Sequence, residues 1–84
     1  MGTKKSSYLI EFGKRVRDLR TARGLSQEAL ADMSGFHRTY IGSVERGERN
    51  VTLTTIAVFA RTLNVEPSSL IPPGSEFQPG STQE

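Results

Sequence analysis

Apolar residues recur at spacings of three and four early in the chain, at Leu9, Phe12, Val16 and Leu19. That is one stripe of an amphipathic helix, predicted over residues 7–22 with Ser6 or Ser7 as its cap and Gly24 as the left-handed residue that ends it. Ser26 can cap a second, shorter helix from Gln27 to Met33, with Ala29, Leu30 and Met33 turned inward and Ser34-Gly35-Phe36 as its break. A third helix is predicted from Arg38 to Arg46, with Ile41 and Val44 inward, Phe36 packing at its entrance and Gly47 as its stop. Residues 49–51 form a loop, and Thr52 caps a fourth helix whose stripe is Leu53, Ile56, Ala60 and Leu63. Pro67 can open a last short turn, with Leu70 and Ile71 available to bury. There is no alternating strand pattern and no internal repeat, so the fold class is all-α. The short glycine-containing turn between the second and third helices fits a helix-turn-helix.

Around this pattern, residues 1–6 are expected to form a flexible N-terminus, residues 7–71 a single domain, and residues 72–84 a disordered tail rich in Pro, Gly, Ser and Gln. The Gly-Ser-Glu-Phe run in that tail has the look of a cloning scar. A chain of 84 residues buries only a modest core, so a partner subunit would help it. The absence of cysteine excludes disulfides and thiolate metal sites, and fits a cytoplasmic location. No apolar run approaches the roughly 20 residues of a membrane span, and the N-terminus lacks the apolar block of a secretory signal. The Met-Gly-Thr-Lys-Lys-Ser start matches a myristoylation signal only loosely, and nothing else points to a membrane.

The net charge of +2 is unevenly spread. Residues 1–23 carry seven Lys/Arg against Glu11 and Asp18, residues 24–63 are balanced, and residues 64–84 carry only acids. A basic front end suits a polyanionic partner, or is simply a solvated helix face. Catalysis finds little support. His37 is the single histidine, at the entrance of the third helix, where a capping or exposed role fits better than a catalytic one. Asp32, Glu28 and Glu45 are not spaced as a metal-ligand set, no phosphate-loop glycine pattern occurs, and no cofactor is implied.

The third helix carries a more specific signal. Opposite Ile41 and Val44 it is expected to present Arg38, Thr39, Gly42 and Ser43. Arginine can grip guanine O6 and N7 in the major groove, threonine can meet a base edge or a thymine methyl, and small residues let the helix approach closely. Gln27, in the first turn of the second helix beside the capping Ser26, can reach a phosphate. Arg46, Arg49 and Asn50 follow the third helix and can hold the adjacent backbone, unless Glu45 and Glu48 pair with the arginines as ordinary surface charge.

The Leu-Ser-Gln-Glu-Ala-Leu-Ala start, the Tyr-Ile-Gly-Ser-Val-Glu-Arg-Gly end and the Leu-Thr-Thr-Ile-Ala-Val-Phe-Ala-Arg-Thr-Leu helix, in that order, resemble the phage-repressor-like (Cro and XRE-type) helix-turn-helix regulators over residues 9–71. Within them, His-Arg-Thr-Tyr-Ile and Glu-Arg-Gly-Glu-Arg-Asn-Val-Thr look most like the controller proteins of restriction–modification systems. The resemblance implies a five-helix lambda-repressor-like domain. It is implied to act as a homodimer on a near-palindromic double-stranded DNA operator, autoregulating and timing the restriction gene. It implies base reading by Arg38, Thr39 and Ser43, with Tyr40 beside the backbone and Gln27 on a phosphate. It also implies a structural ion pair between Arg20 and Glu45, and a dimer interface at the end of the fourth helix and the fifth, here Phe59, Val65, Leu70 and Ile71. His37 departs from the Ser or Thr usual at its capping position. A general repressor of the same family and a protein-interaction module without DNA binding are the rival expectations. RNA polymerase is a further conceivable partner, through Glu45 or Glu48.

Overall fold

A computed structural model describes residues 6–74. Four α-helices follow in order: α1 (Ser7–Ala22), α2 (Gln27–Ser34), α3 (Arg38–Glu45) and α4 (Leu53–Leu63). A 3-10 turn, Pro67–Ser69, follows α4. The described residues contain no strand.

Each helix begins where a side chain can satisfy its free amides. Ser6 Oγ accepts from the amides of Tyr8 and Leu9, Ser26 Oγ from that of Ala29, and Thr52 Oγ1 from that of Thr55. His37 serves the same purpose for α3: its Nδ1 accepts from the Thr39 amide at 3.1 Å. An unprotonated imidazole nitrogen therefore replaces the usual hydroxyl without loss of the cap. The end of α3 is closed by Gly47 at φ 76°, which lets the Glu48 amide turn back to the Ser43 carbonyl at 2.9 Å.

All four helices feed one core. Phe12 and Val16 come from α1, Leu30 and Ala31 from α2, Ile41 and Val44 from α3, Phe59, Ala60 and Leu63 from α4, and Leu70 from beyond the 3-10 turn. Phe59 is its centre, with its ring edge-on to Phe12 at 6.4 Å and tilted against Phe36 at 5.2 Å. Burying a large apolar side chain of this kind contributes roughly 1.5–3 kcal/mol.

Several expectations need correction. The fifth helix is the 3-10 turn alone. Pro67 starts a turn readily, but Pro72 and Pro73 lack amides and bias the preceding residue away from helical geometry, so the turn cannot lengthen. Phe59 and Leu70, expected at a dimer interface, are fully buried within the single chain. Phe59 lies three residues from Ile56 and four from Leu63, which puts it on the same inward face. Leu53 shares that side of α4 but is the first helical residue, with nothing to cover it, and is 84% exposed. In α2 the inward residues are Leu30 and Ala31, while Ala29 is half-buried and Met33 faces out. The ordered domain also outruns its expected limits. Ser6 caps α1, and Pro72 is buried with its carbonyl accepting from the Tyr8 hydroxyl at 2.9 Å. Residues 1–5 of the expected flexible start and 75–84 of the expected disordered tail, with most of the Gly-Ser-Glu-Phe run, fall outside the described residues.

One glycine sets how closely α1 and α3 meet. A Cβ at Gly13 would overlap the Val44 carbonyl oxygen and lie 2.7 Å from that of Glu45, both immobile backbone atoms. Gly13→Ala should therefore push α3 off α1 and lower the unfolding free energy by about 1–3 kcal/mol or more, as overpacking does. His37→Ala should cost about 1 kcal/mol by removing the cap, whereas His37→Ser should cost almost nothing. Urea unfolding of the three variants beside the parent chain checks both expectations.

Candidate nucleic-acid interface

The surface that the sequence singles out is built from behind by one ion pair. Arg20 Nε meets Glu45 Oε2 at 2.7 Å and Arg20 Nη2 meets Glu45 Oε1 at 3.0 Å, a two-pronged contact between α1 and the last residue of α3. The third guanidinium nitrogen, Nη1, donates to the Leu25 carbonyl at 2.8 Å, which fixes the entry to α2. Gln27 Nε2 donates to Glu45 Oε1 at 3.0 Å, so the carboxylate ties together α1, α2 and α3. The side chains of Arg20 and Glu45 are only 11% and 4% exposed. The Glu45 hydrogen bonds hold the Arg20 guanidinium further above its already high range, outweighing the opposing effect of burial, so Arg20 stays charged at any working pH. Among the described residues no buried side-chain nitrogen or oxygen is left without a partner.

This network fixes α3 and leaves its first turn outside. Arg38 and Thr39 are exposed, as are Arg46, Arg49 and Asn50 after the helix and Ser26 before α2. Ser26 spends its oxygen on the cap, and its hydroxyl proton remains to be given. Gln27 has given one of its two amide protons to Glu45 and keeps the other. A recess of ≈ 370 Å³ lies between Ser26, Gln27, Glu28 and Arg38, and another of ≈ 170 Å³ between Arg17, Gln27, Gly42 and Arg46. Gly42 lines the second recess, and a Cβ there would lie 3.2 Å from Arg46 Nη1, the end of a flexible side chain.

Two expected contact residues sit deeper than expected. Gly42 and Ser43 are buried, because the helix turns them toward its neighbours beside Val44. The Ser43 hydroxyl donates to the Tyr40 carbonyl at 2.8 Å and accepts from Arg49 Nε at 3.1 Å. Tyr40 is half-buried, with its ring edge-on to Phe36 at 5.2 Å and the Arg49 guanidinium 5.7 Å from the ring centroid. Arg17 was missed. It lines the smaller recess from α1, and its spacing of three from Arg20 was the available signal. No group of three or more His, Asp or Glu among the described residues is placed to hold a metal, and no helix there is long and apolar enough to cross a membrane.

Known proteins share this helix-turn-helix architecture. The helix-turn-helix (HTH_3) family model matches residues 16–70. The chain is 55% identical over 60 residues to control protein C.SmaI of Serratia marcescens, covering 71% of each protein. It superposes with a TM-score of 0.73 on the restriction–modification controller protein C.AhdI from Aeromonas hydrophila, at 56% identity, covering 75% of this chain and 96% of that one. A TM-score of 0.69 relates it to the controller protein C.Esp1396I, solved as a tetramer in complex with its natural 35 base-pair operator, at 30% identity and covering 75% of this chain and 83% of that one.

Because the Arg20–Glu45 pair is buried, with each guanidinium nitrogen hydrogen-bonded, removing one partner strands the other charge. Glu45→Ala should lower the unfolding free energy by roughly 3–5 kcal/mol. Denaturant unfolding measures this directly, and a loss below about 1 kcal/mol would mean the pair behaves as a surface pair.

Proposed function

The chain belongs to the helix-turn-helix (HTH_3) family, a family of transcription regulators and not of enzymes, and from that premise we propose a restriction–modification controller that binds operator DNA. The observation that carries this function is the way α3 is held. The Arg20–Glu45–Gln27 network grips it from behind, while Arg38 and Thr39 stand exposed on its first turn. In a helix-turn-helix, the N-terminal residues of the second helix meet the base edges in the major groove.

On that placement Arg38 reads a guanine through O6 and N7, and Thr39 reads a neighbouring base. Ser26, Gln27, Arg46, Arg49 and Asn50 hold phosphates on either side, with Tyr40 beside the sugar-phosphate backbone. Arg17 joins them from α1 across the smaller recess. The protein acts as a homodimer, with its two copies of α3 about 34 Å apart on a near-palindromic site. With Phe59 and Leu70 inside the core, Val65 and Ile71 remain of the residues expected at its two-fold contact. The operator lies upstream of the protein's own gene and of the restriction gene, so binding autoregulates the first and times the second. A contact with RNA polymerase would fall to Glu48, since Glu45 is buried within the ion-pair network. This work is done in the cytoplasm, where the DNA is.

Fluorescence anisotropy with DNA from upstream of the gene and with a scrambled duplex, at several salt concentrations, tests this function. Arg38→Ala should cost about 1–3 kcal/mol on the operator and little on the scrambled probe. An equal loss on both would make Arg38 a phosphate contact. Arg49→Ala should weaken binding on both probes and reduce the salt slope by about one.

A further inference from the structure

The buried Ser43 hydroxyl has a different task from reading bases. We propose that Ser43 is a positioning residue for Arg49, clamping its guanidinium over the Tyr40 ring in the orientation that meets a DNA phosphate. This rests on the DNA-binding function proposed above and adds how one of its contacts is prepared.

The geometry argues against a direct base contact. A hydroxyl has one proton to give and two lone pairs. Ser43 gives its proton to the Tyr40 carbonyl at 2.8 Å and takes the Arg49 Nε proton at 3.1 Å, and the residue is 6% exposed. Little of it can reach a groove. What it does reach is Arg49, an exposed side chain that would otherwise sample many rotamers. The Nε bond fixes the side chain near its end, and the Tyr40 ring, with the guanidinium 5.7 Å from its centroid, gives the planar group a second support. Tyr40 is itself fixed, edge-on to Phe36, which packs against the central Phe59. With Nε occupied, the two terminal nitrogens form the fork presented to solvent, the geometry that suits a phosphate. Ordering a flexible arginine on binding costs affinity, and an arginine ordered beforehand avoids much of that cost.

A double-mutant cycle separates the alternatives. Ser43→Ala keeps every charge, so it should weaken binding roughly three- to tenfold on operator and scrambled DNA alike, with the salt slope unchanged. In an Arg49→Ala background the same change should have no further effect. A Ser43→Ala penalty that persists undiminished without Arg49, or that falls on the operator alone, would overturn the proposal and return Ser43 to base contact or plain helix support. The clamp is also visible in the free protein. The Arg49 Nε–Hε group should show restricted motion by nitrogen-15 relaxation in the parent chain and free motion in Ser43→Ala. Equal mobility in the two proteins would overturn the clamp. A parent chain that binds neither probe but keeps the restricted signal would overturn the DNA-binding function, and with it the purpose of the clamp, while leaving the clamp itself in place.

Discussion

Arg20 and Glu45 lie 25 residues apart in sequence and meet in a two-pronged contact that the solvent barely reaches. Burying both charges costs several kcal/mol per ion, which their mutual attraction offsets only with good geometry and with the remaining donors satisfied. The geometry is two-pronged, and every guanidinium nitrogen has at least one partner, since Leu25 takes Nη1 and Gln27 adds a bond to the carboxylate. The pair therefore contributes chiefly a fixed geometry. The approach that permits it is set seven residues earlier in α1. Seven residues are two helical turns, so Gly13 and Arg20 share one face. At Gly13 the backbone of α1 comes against the Val44 and Glu45 carbonyls, and two turns on, Arg20 finds the Glu45 carboxylate in reach. A glycine and an ion pair thus hold one helix interface at two points, and α3 has little freedom to rotate.

From that fixed helix, two kinds of arginine emerge. Arg38 stands free at the start of α3, able to adjust to a base edge. Arg49 is held at the end of a chain of contacts that runs from Phe59 through Phe36 and Tyr40 to the surface. The difference suits the division of labour in DNA recognition, where phosphate contacts set the register and base contacts carry the sequence. A register-setting group gains from being rigid before the encounter, because its target repeats on every nucleotide and only its position carries information. A base-reading group must find one pattern of donors and acceptors, and some latitude helps it.

The periodicity of the chain marked α1 and α3 well because their apolar stripes are covered along most of their length. It also found α2 and α4 as helices, but it misjudged part of their inward faces, where the cover is partial. Met33 and Leu53 continue a stripe past the point where another helix packs on it, so each is apolar and exposed. The stripe drawn through Leu53 also displaced Phe59, which turned the centre of the core into a supposed surface residue. Small polar residues are harder still. Nothing in the spacing of Ser43 distinguishes a groove-facing hydroxyl from one folded back on Tyr40 and Arg49, because the difference lies in a loop residue's return path. The partnership of Arg20 with Glu45 came from family resemblance, since no local rule joins residues that far apart. The short turn at Pro67 was legible in the sequence, whereas the fifth helix came from family resemblance, and Pro72 and Pro73 keep the turn from becoming one.

Among the described residues, the ion pairs Arg20–Glu45 and Arg46–Glu48 at the end of α3 behave oppositely, and the contrast suits a DNA-binding surface. Arg46 and Glu48 meet at 3.2 Å with side chains 58% and 39% exposed. A pair that open to water contributes about 0–1 kcal/mol, so a phosphate can take the arginine at little cost. A bond from guanidinium to phosphate is charge-assisted like the one it would replace, so the arginine loses no kind of interaction in the exchange. On the proposed function, Glu48 would offset part of the basic surface until DNA takes the arginine. The buried Glu45 cannot be exchanged in this way, because releasing it would strand Arg20 and loosen α3. On the proposed function, one glutamate holds the reading helix in place and the other yields its arginine, with only Arg46 and Gly47 between them in sequence. Only the glycine turn between them, which sends the chain back over the end of α3, puts one inside and the other out.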